Sequence, residues 1–134
     1  MELPAIGEAV EVVIEVPRGS FVKRRPDGGV HFRSPLPTLF NYGSVLGTRA
    51  ADGDPLDALV MGPRLSRGSR VRRTVRGIVD FVDHDLPDPK LVLASAPLSV
   101  RERRRIERFF RAYAYAKRWL DPGPGQTRLA GWLA

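Results

Sequence analysis

The strand patterns in residues 1–95 follow one another so closely that no helix fits between them. Alternating or β-branched apolar residues mark the segments 11–16, 21–25, 30–33, 42–46, 56–61, 69–83 and 90–94. The second and third segments flank the turn sequence Pro-Asp-Gly-Gly, so we expect them to form a hairpin. Gly77 interrupts the longest segment, where we expect a bend or bulge. Short strands at this spacing predict a small closed barrel.

A single helical pattern follows these strands. Ser99 and Glu102 have the spacing of a capping box, in which each side chain bonds the backbone N–H of the other residue. Apolar residues then recur at helical spacing, and arginines collect on another face of the same segment. We predict one mainly β (α+β) domain over 1–134, with the barrel at about 9–95, a helix packed on it at about 99–120, and a tail over 121–134.

The acidic residues of this basic chain are gathered in two short runs, although the chain has only 15 acids against 22 basic residues. The runs contain Asp52, Asp54 and Asp57, and then Asp83, Asp85 and Asp88. Carboxylates crowded in this way repel one another unless cations compensate their charge. Because the chain has no cysteine, oxygen ligands dominate any metal site, and they favour Mg²⁺, Mn²⁺ or Ca²⁺. The alternative for the first run is a surface turn, since Asp, Gly and Pro are favoured turn residues.

Further polar residues lie near strand ends and can be interpreted in two ways. Glu15 precedes a proline at the end of the first strand, where it is either solvated or part of a site. Lys23 and Arg33 lie on the two arms of the predicted hairpin and could face one anion. Tyr42 is either half-buried packing or a phenol in the same pocket, and His84 is either an exposed loop residue or a ligand.

Charge and hydropathy limit the possible partners and location. The net charge of +7 favours a polyanionic partner, from nucleic acid to small phosphates, although an arginine-rich solvated surface explains it equally well. No apolar run approaches the roughly 20 residues that span a bilayer, so we expect no membrane partner. The first residues lack the pattern of a secretory signal, and a cytoplasmic location is the default expectation.

The order of these residues along the chain is more specific than any one of them. The ordered pieces are Val13–Ser20, Lys23, Arg33, Asn41-Tyr42-Gly43, Asp52-Gly53-Asp54-Pro55-Leu56-Asp57, Asp83, Asp88, Lys90, Phe109-Phe110 with Tyr113, and Gly131-Trp132. This order closely resembles that of the soluble family I inorganic pyrophosphatases and covers nearly the whole chain. The resemblance implies an OB-like five-stranded barrel with a flanking helix, and Mg²⁺-dependent hydrolysis of pyrophosphate to two phosphates. It also implies a homo-oligomer.

The resemblance implies a role for each matching residue. The implied metal ligands are Asp52, Asp57 and Asp88, with Asp83 on a further metal and Glu15 acting largely through water. Asp54 would be the base that orients or deprotonates the attacking water. The implied phosphate ligands are Lys23, Arg33 and Tyr113, with Tyr42 and Lys90 in supporting contacts. Mg²⁺ is the expected cofactor, with Mn²⁺ or another divalent cation as the alternative.

Several positions depart from the family pattern. Arg25 stands where the family has an acid, and Thr38 stands where a tyrosine is expected. His84 follows Asp83 at a position where the family commonly has Glu. Ala114 replaces a common phosphate-binding lysine, and Lys117, one helical turn later, is a candidate substitute. These changes leave two alternatives open. One is a weakened or inactive barrel that binds metal and phosphate, or nucleic acid through the arginine-rich helix; the other is a hydrolase of another small diphosphate.

Overall fold

The computed structural model describes residues 1–20, 22–24, 30–33 and 38–134, with side chains in 1–20 and 38–134. Its elements in chain order are β1 (Ala9–Val16), β2 (Val22–Arg24), β3 (Val30–Arg33), β4 (Asn41–Val45), β5 (Asp57–Val60), β6 (Arg70–Asp83), β7 (Leu86–Pro87), β8 (Lys90–Ala94), α1 (Val100–Leu120) and β9 (Arg128–Trp132). The predicted hairpin is confirmed in its arms, because β2 and β3 pair in antiparallel fashion. Its predicted turn and Arg25 lie outside the described residues.

Five strands close into a ring in the order β1-β4-β5-β8-β6, with β6 pairing back onto β1. One strand can close the ring because β6 is 14 residues long. Its first residues pair with β1, and the stretch from Thr74 to Val79 pairs with β8. The register with β8 shifts between Val75 and Gly77, where the bend was predicted, and a Cβ at Gly77 would lie 3.0 Å from the Trp132 ring. The predicted mainly β, OB-like ring of five strands is confirmed.

Strand alternation separates the apolar residues into two layers. Ala58, Val60, Leu91 and Leu93 belong to the cluster that fills the ring. The residues between them face the other way, so Val92 and its neighbour Leu59 pack against the helix layer instead. Both faces of β5 and β8 are therefore buried, which is the pattern of strands covered on two sides.

The helix begins where the sequence indicates. The Ser99 hydroxyl accepts a hydrogen bond from the Glu102 backbone N–H, and the Glu102 carboxylate accepts one from the Ser99 N–H, so the capping box is confirmed. Ile106, Phe109 and Phe110 are buried against the outside of the ring. No helix in the described part of the chain combines the length and apolar composition that crossing a bilayer requires.

The tail differs from the prediction. Residues 128–132 form β9, which pairs with β6 in antiparallel fashion and brings Trp132 opposite Val79. The short pair of β7 with the end of β6 was also absent from the prediction. Neither segment has enough strand-type residues to be recognised alone. Each becomes a strand because the long β6 offers an unpaired edge beside it.

Candidate active site

One cavity of about 540 Å³ lies at the end of the ring beside the helix. Nine of the residues singled out from the sequence line it: Glu15, Tyr42, Asp52, Asp54, Asp57, Asp83, Asp88, Lys90 and Tyr113. Lys117 lines it as well. The side chains of Lys23 and Arg33 lie outside the described residues, so their predicted phosphate contacts stay predictions. Carboxylates separated by up to 73 residues in sequence thus surround one space.

A β-bulge places Glu15 on the cavity wall. In the pairing of β1 with β4, Ile14 lies opposite Gly43 and Val16 opposite Tyr42, so Glu15 is the extra residue of a bulge. Bulges of this kind re-aim a side chain and are common beside active sites. The strands can approach closely here because a Cβ at Gly43 would collide with the Val13 carbonyl oxygen. The Glu15 carboxylate accepts a 2.7 Å hydrogen bond from the Ser44 hydroxyl.

The first acidic run is both a turn and part of the cavity wall. Gly53 has a φ of 89°, and its N–H donates to the Ala50 carbonyl at 3.0 Å. The Asp52 carboxylate accepts a 2.9 Å hydrogen bond from the Asp54 N–H. The turn interpretation is therefore right about the backbone. The carboxylates of Asp52 and Asp54 nevertheless line the cavity, so the two interpretations are not exclusive.

Lys90 lies between two carboxylates at the centre of the site. The parallel pairing of β5 with β8 brings Asp57 opposite Lys90. The Lys90 ammonium donates to Asp57 Oδ2 and Asp88 Oδ2, each at 2.8 Å, and its side chain is only 5% exposed. Burial lowers the pKa of Lys90, but the charges of Asp57 and Asp88 and the hydrogen bond to Asp57 outweigh it and hold that pKa well above its usual range. We refer to Asp57, Lys90 and Asp88 as the central triad.

Burial acts in the opposite direction on the pKa of Asp88. Burial raises the pKa of Asp88, and the neighbouring charge of Asp57 raises it further, although Lys90 opposes both effects. One ammonium between two carboxylates leaves the group short of positive charge. The central triad therefore favours an additional cation.

A second ion pair joins the helix to the other acidic run. The Lys117 ammonium lies 2.5 Å from Asp83 Oδ2, and the Thr127 hydroxyl donates to Asp83 Oδ1 at 3.0 Å. Burial raises the pKa of Asp83, but the hydrogen bond and charge of Lys117 and the Thr127 hydrogen bond hold it below its usual value. Asp85 points elsewhere, because its carboxylate accepts from the Gln126 N–H. We refer to Asp83 and Lys117 as the helix-side pair, and Thr127 supports it from the tail.

Two phenols complete the wall. Burial raises the pKa of Tyr42 well above its usual range, and the charge of Asp57 acts in the same direction. Burial also raises the pKa of Tyr113, against the charges of Lys117 and Lys90. Both phenols thus stay protonated at neutral pH and can donate hydrogen bonds to an anion. The Lys90 ammonium lies 5.7 Å from the centre of the Tyr42 ring, which adds a cation–π contact.

Comparisons with known proteins assign this architecture. A family model described as inorganic pyrophosphatase matches residues 12–122. The chain belongs to the inorganic pyrophosphatase family. It is 30% identical, over an alignment 147 positions long, to the inorganic pyrophosphatase of Aeropyrum pernix, covering 93% of this chain and 81% of that relative.

A second relative and a solved structure are similar over different lengths. The inorganic pyrophosphatase of Gluconobacter oxydans is 37% identical over 91 residues, a match that spans 62% of this chain and about half, 53%, of that relative. The structure of the inorganic pyrophosphatase of Coxiella burnetii superposes with a TM-score of 0.75 at 27% identity, covering 96% of this chain and 89% of that one. The likeness in fold therefore extends over nearly the whole chain.

The positions that depart from the family pattern have clear structural surroundings. Ala114 is 2% exposed and packs in the layer between helix and ring, so a longer side chain there would have to displace its neighbours. Thr38 is buried, and its hydroxyl lies 3.1 Å from the Pro17 carbonyl and 3.3 Å from that of Ser20, so it braces the end of β1. Neither residue lines the cavity.

His84 belongs to the outside of the site. Its ring nitrogens lie 3.4 Å from Asp121 Oδ2 and 3.2 Å from the Pro124 carbonyl, and these two contacts raise the pKa of His84. Its Nε2 is also 3.7 Å from Asp83 Oδ1. His84 therefore connects the second acidic run to the tail and does not line the cavity.

Sequence reasoning assigned no role to three residues that support the site. Ser44 holds Glu15, and its place two residues after Tyr42 on the same strand was a usable signal, because alternate residues share a face. Thr127 holds Asp83 from the far end of the chain and carried no local signal. The fully buried Asn41 accepts from the N–H groups of Arg18 and Leu65 and donates to two carbonyls, so it ties two loops together behind the site.

The chemistry of the wall fits a hard divalent cation. Its donors are carboxylate oxygens from six acidic residues in one cavity, which suit Mg²⁺ or Mn²⁺. Within the described ranges, no three acidic or histidine side chains are already gathered around one point. Three of the carboxylates are instead held by the ammonium groups of Lys90 and Lys117. The ammonium groups of these two lysines therefore already neutralise part of the charge of the acids that the sequence predicts to be metal ligands.

Proposed function

We propose that this protein hydrolyses inorganic pyrophosphate to two phosphates. The observation that carries the proposal is the wall of one cavity, where six carboxylates lie beside two ammonium groups and two protonated phenols, in a chain of the inorganic pyrophosphatase family. Carboxylates suit the cations that accompany a polyanionic substrate, and ammonium and phenol groups suit its phosphate oxygens.

The proposed cofactor is Mg²⁺, with Mn²⁺ as the alternative. Its proposed ligands are Asp52, Asp57, Asp88 and Asp83, with Glu15 acting largely through water. When bound, divalent cations would offset the negative charge of the substrate. They would also lower the pKa of bound water, so that hydroxide forms at neutral pH.

The chain's own residues then have three tasks. The Asp54 carboxylate orients the attacking water and takes a proton from it. The oxygen of that water attacks one phosphorus, and the bond from this phosphorus to the bridging oxygen breaks. Tyr113 orients the phosphate groups, with Tyr42 and Lys90 in supporting contacts, and all three residues line the cavity. Lys23 and Arg33 hold phosphate from the hairpin, and this charge stabilises the phosphate that leaves.

Phosphate release from pyrophosphate, with Mg²⁺ and with EDTA, tests the function. We expect metal-dependent release, and Asp54→Asn should lower its rate by about 10²–10⁴-fold because the base is lost. Asp80→Asn is the matched control, since Asp80 lies on β6 away from the cavity and should keep the wild-type rate. Folded protein without metal-dependent release would refute the proposal. Undiminished turnover in Asp54→Asn would refute the role of Asp54.

A substrate panel separates pyrophosphate from other small diphosphates. Two residues close in sequence to the proposed phosphate ligands, Arg25 and Ala114, depart from the family pattern, and they are the reason to include nucleoside diphosphates and longer polyphosphates. We expect pyrophosphate to have the highest kcat/KM. A higher value for another diphosphate would assign the site to that substrate.

One observation favours a second candidate function, nucleic-acid binding. The face of α1 that carries Arg101, Arg104, Arg108 and Arg111 is exposed, and these arginines form no ion pair with any other described residue. Tyr115 and Trp119 are exposed on the same helix. Binding of a labelled oligonucleotide, weakening steeply as salt rises, would support this function. We expect only weak binding, because the site already accounts for a phosphate substrate.

Assembly and location extend the proposal. We propose a homo-oligomer, with the exposed Trp119 and Leu120 at the end of α1 as candidates for its contact. Sedimentation at several protein concentrations measures its mass, and a monomer throughout would refute it. The cytoplasmic location predicted from the sequence stays a prediction that cell fractionation checks.

A further inference from the structure

Lys117 is an unusual choice of residue on its helix. α1 carries seven arginines and one lysine, and the lysine is the basic residue that reaches the cavity. The whole chain has only three lysines, at 23, 90 and 117, against 19 arginines. Arginine forms a wide planar fork, whereas lysine is a compact charge on a flexible four-carbon stem. A lysine at this position therefore allows the charged group to move from one partner to another within the cavity.

Lys117 contacts fewer carboxylates than Lys90, and its side chain is more exposed. Its ammonium contacts one carboxylate, Asp83, whereas Lys90 bridges Asp57 and Asp88. The side chain of Lys117 is 23% exposed, against 5% for Lys90. It also lies over the ring of Tyr113, 6.0 Å from the centre of the ring. Lys117 can therefore leave Asp83 and remain solvated within the cavity.

We propose that Lys117 is a phosphate-binding residue whose ammonium neutralises Asp83 until a divalent cation takes that carboxylate. The inference rests on the proposed function, in which Asp83 is a metal ligand. A divalent ion carries twice the charge of the ammonium and approaches oxygen at about 2.1 Å, so the two cations compete for Asp83 and repel each other. The displaced ammonium stays next to Tyr113, where the phosphate is expected. Positive charge thus reaches the phosphate when Asp83 is occupied by metal.

Two equilibrium binding measurements test this exchange without turnover. Mn²⁺ binding to the substrate-free protein is followed by calorimetry or spin resonance, and inorganic phosphate binding is measured at saturating Mg²⁺ and again in EDTA. The variant is Lys117→Met, which keeps the stem and removes the charge. The control is Arg111→Met, which removes an exposed charge from the same helix outside the cavity.

We expect Lys117→Met to bind Mn²⁺ about three- to tenfold more tightly, because the competing ammonium is gone. It should bind phosphate about tenfold more weakly with Mg²⁺ and with unchanged affinity in EDTA. Arg111→Met should leave all three affinities within twofold. A variant whose Mn²⁺ affinity is unchanged or weaker, or whose phosphate affinity with Mg²⁺ is unchanged, overturns the exchange.

The same data distinguish this inference from the proposed function. Wild-type protein that binds neither Mn²⁺ nor phosphate would overturn both. Wild-type protein that binds both ligands, with Lys117→Met indistinguishable from it, would overturn the exchange alone. Circular dichroism of each variant checks the fold, and Lys117→Gln replaces Lys117→Met if the latter does not fold.

Discussion

The central triad and the helix-side pair are built from the same groups and differ in burial. In the central triad, Lys90 is 5% exposed and bridges Asp57, which lies opposite it on the paired strand β5, and Asp88, which lies two residues before it. In the helix-side pair, Lys117 is 23% exposed and holds one carboxylate across the gap between ring and helix. A buried ammonium cannot leave without stranding charge, whereas a partly exposed one exchanges with water at little cost. The Lys90 ammonium is therefore a fixed part of the fold, whereas the Lys117 ammonium can be replaced by another cation.

The largest expected difference is in stability. Lys90→Met leaves Asp57 and Asp88 facing each other without a cation, so the free energy of unfolding should fall by about 3–5 kcal/mol in EDTA. Lys117→Met should cost about 1 kcal/mol or less, because its ion pair is partly exposed. Denaturant titration of both variants measures the two losses. Equal losses would mean that the two lysines are not distinguished by burial.

Removing the stranded charge should recover much of the loss. Adding Asp57→Asn and Asp88→Asn to Lys90→Met replaces an incomplete ionic group by neutral ones, and we expect to regain about 2 kcal/mol. The same denaturant titration, made at one pH and in EDTA, measures the recovery. No recovery would indicate that Lys90 stabilises the fold by packing, not by charge.

The layer behind the helix-side pair should resist the lysine that the family commonly has there. Ala114→Lys introduces a long side chain at a position 2% exposed, and overpacking should cost about 1–3 kcal/mol. Ala112→Lys is the matched control on the exposed face of the same helix, with an expected change within about 0.5 kcal/mol. Thermal unfolding of the two variants compares them. A stable Ala114→Lys protein would show that the layer yields easily.

The smallest expected effect is in the pKa values of Asp83 and Asp88 in the metal-free protein. The pKa of Asp83 is lowered in the fold, so its ionisation stabilises the fold above the unfolded value, and this contribution is lost as pH falls through the folded pKa. The pKa of Asp88 is raised, so its ionisation opposes folding, and stability falls as pH rises through that pKa. Carboxyl NMR titration in EDTA measures both values. Lys117→Met should raise the pKa of Asp83 and leave that of Asp88 almost unchanged.

Local patterns predicted most of the secondary structure. The capping box at Ser99, the interruption at Gly77 and the apolar run at 90–94 depend on neighbours a few residues away, and each is confirmed. β9 was missed because its residues form a strand only through the edge of β6. The grouping of the acids in one cavity was inferred from their order along the chain, through the resemblance to the family, and not from any local pattern.

The sequence by itself determined the acidic donors, the strands and turns that carry them and the helix that covers the ring, because residue type and period act over short distances. The tertiary structure alone decided which acid faces which cation. Asp83 and Asp85 are two residues apart, yet one meets Lys117 and the other meets Gln126. It also decided that Lys90 is buried and Lys117 partly open. Burial and charge pairing depend on the packing of ring against helix, and that packing joins residues far apart in the chain.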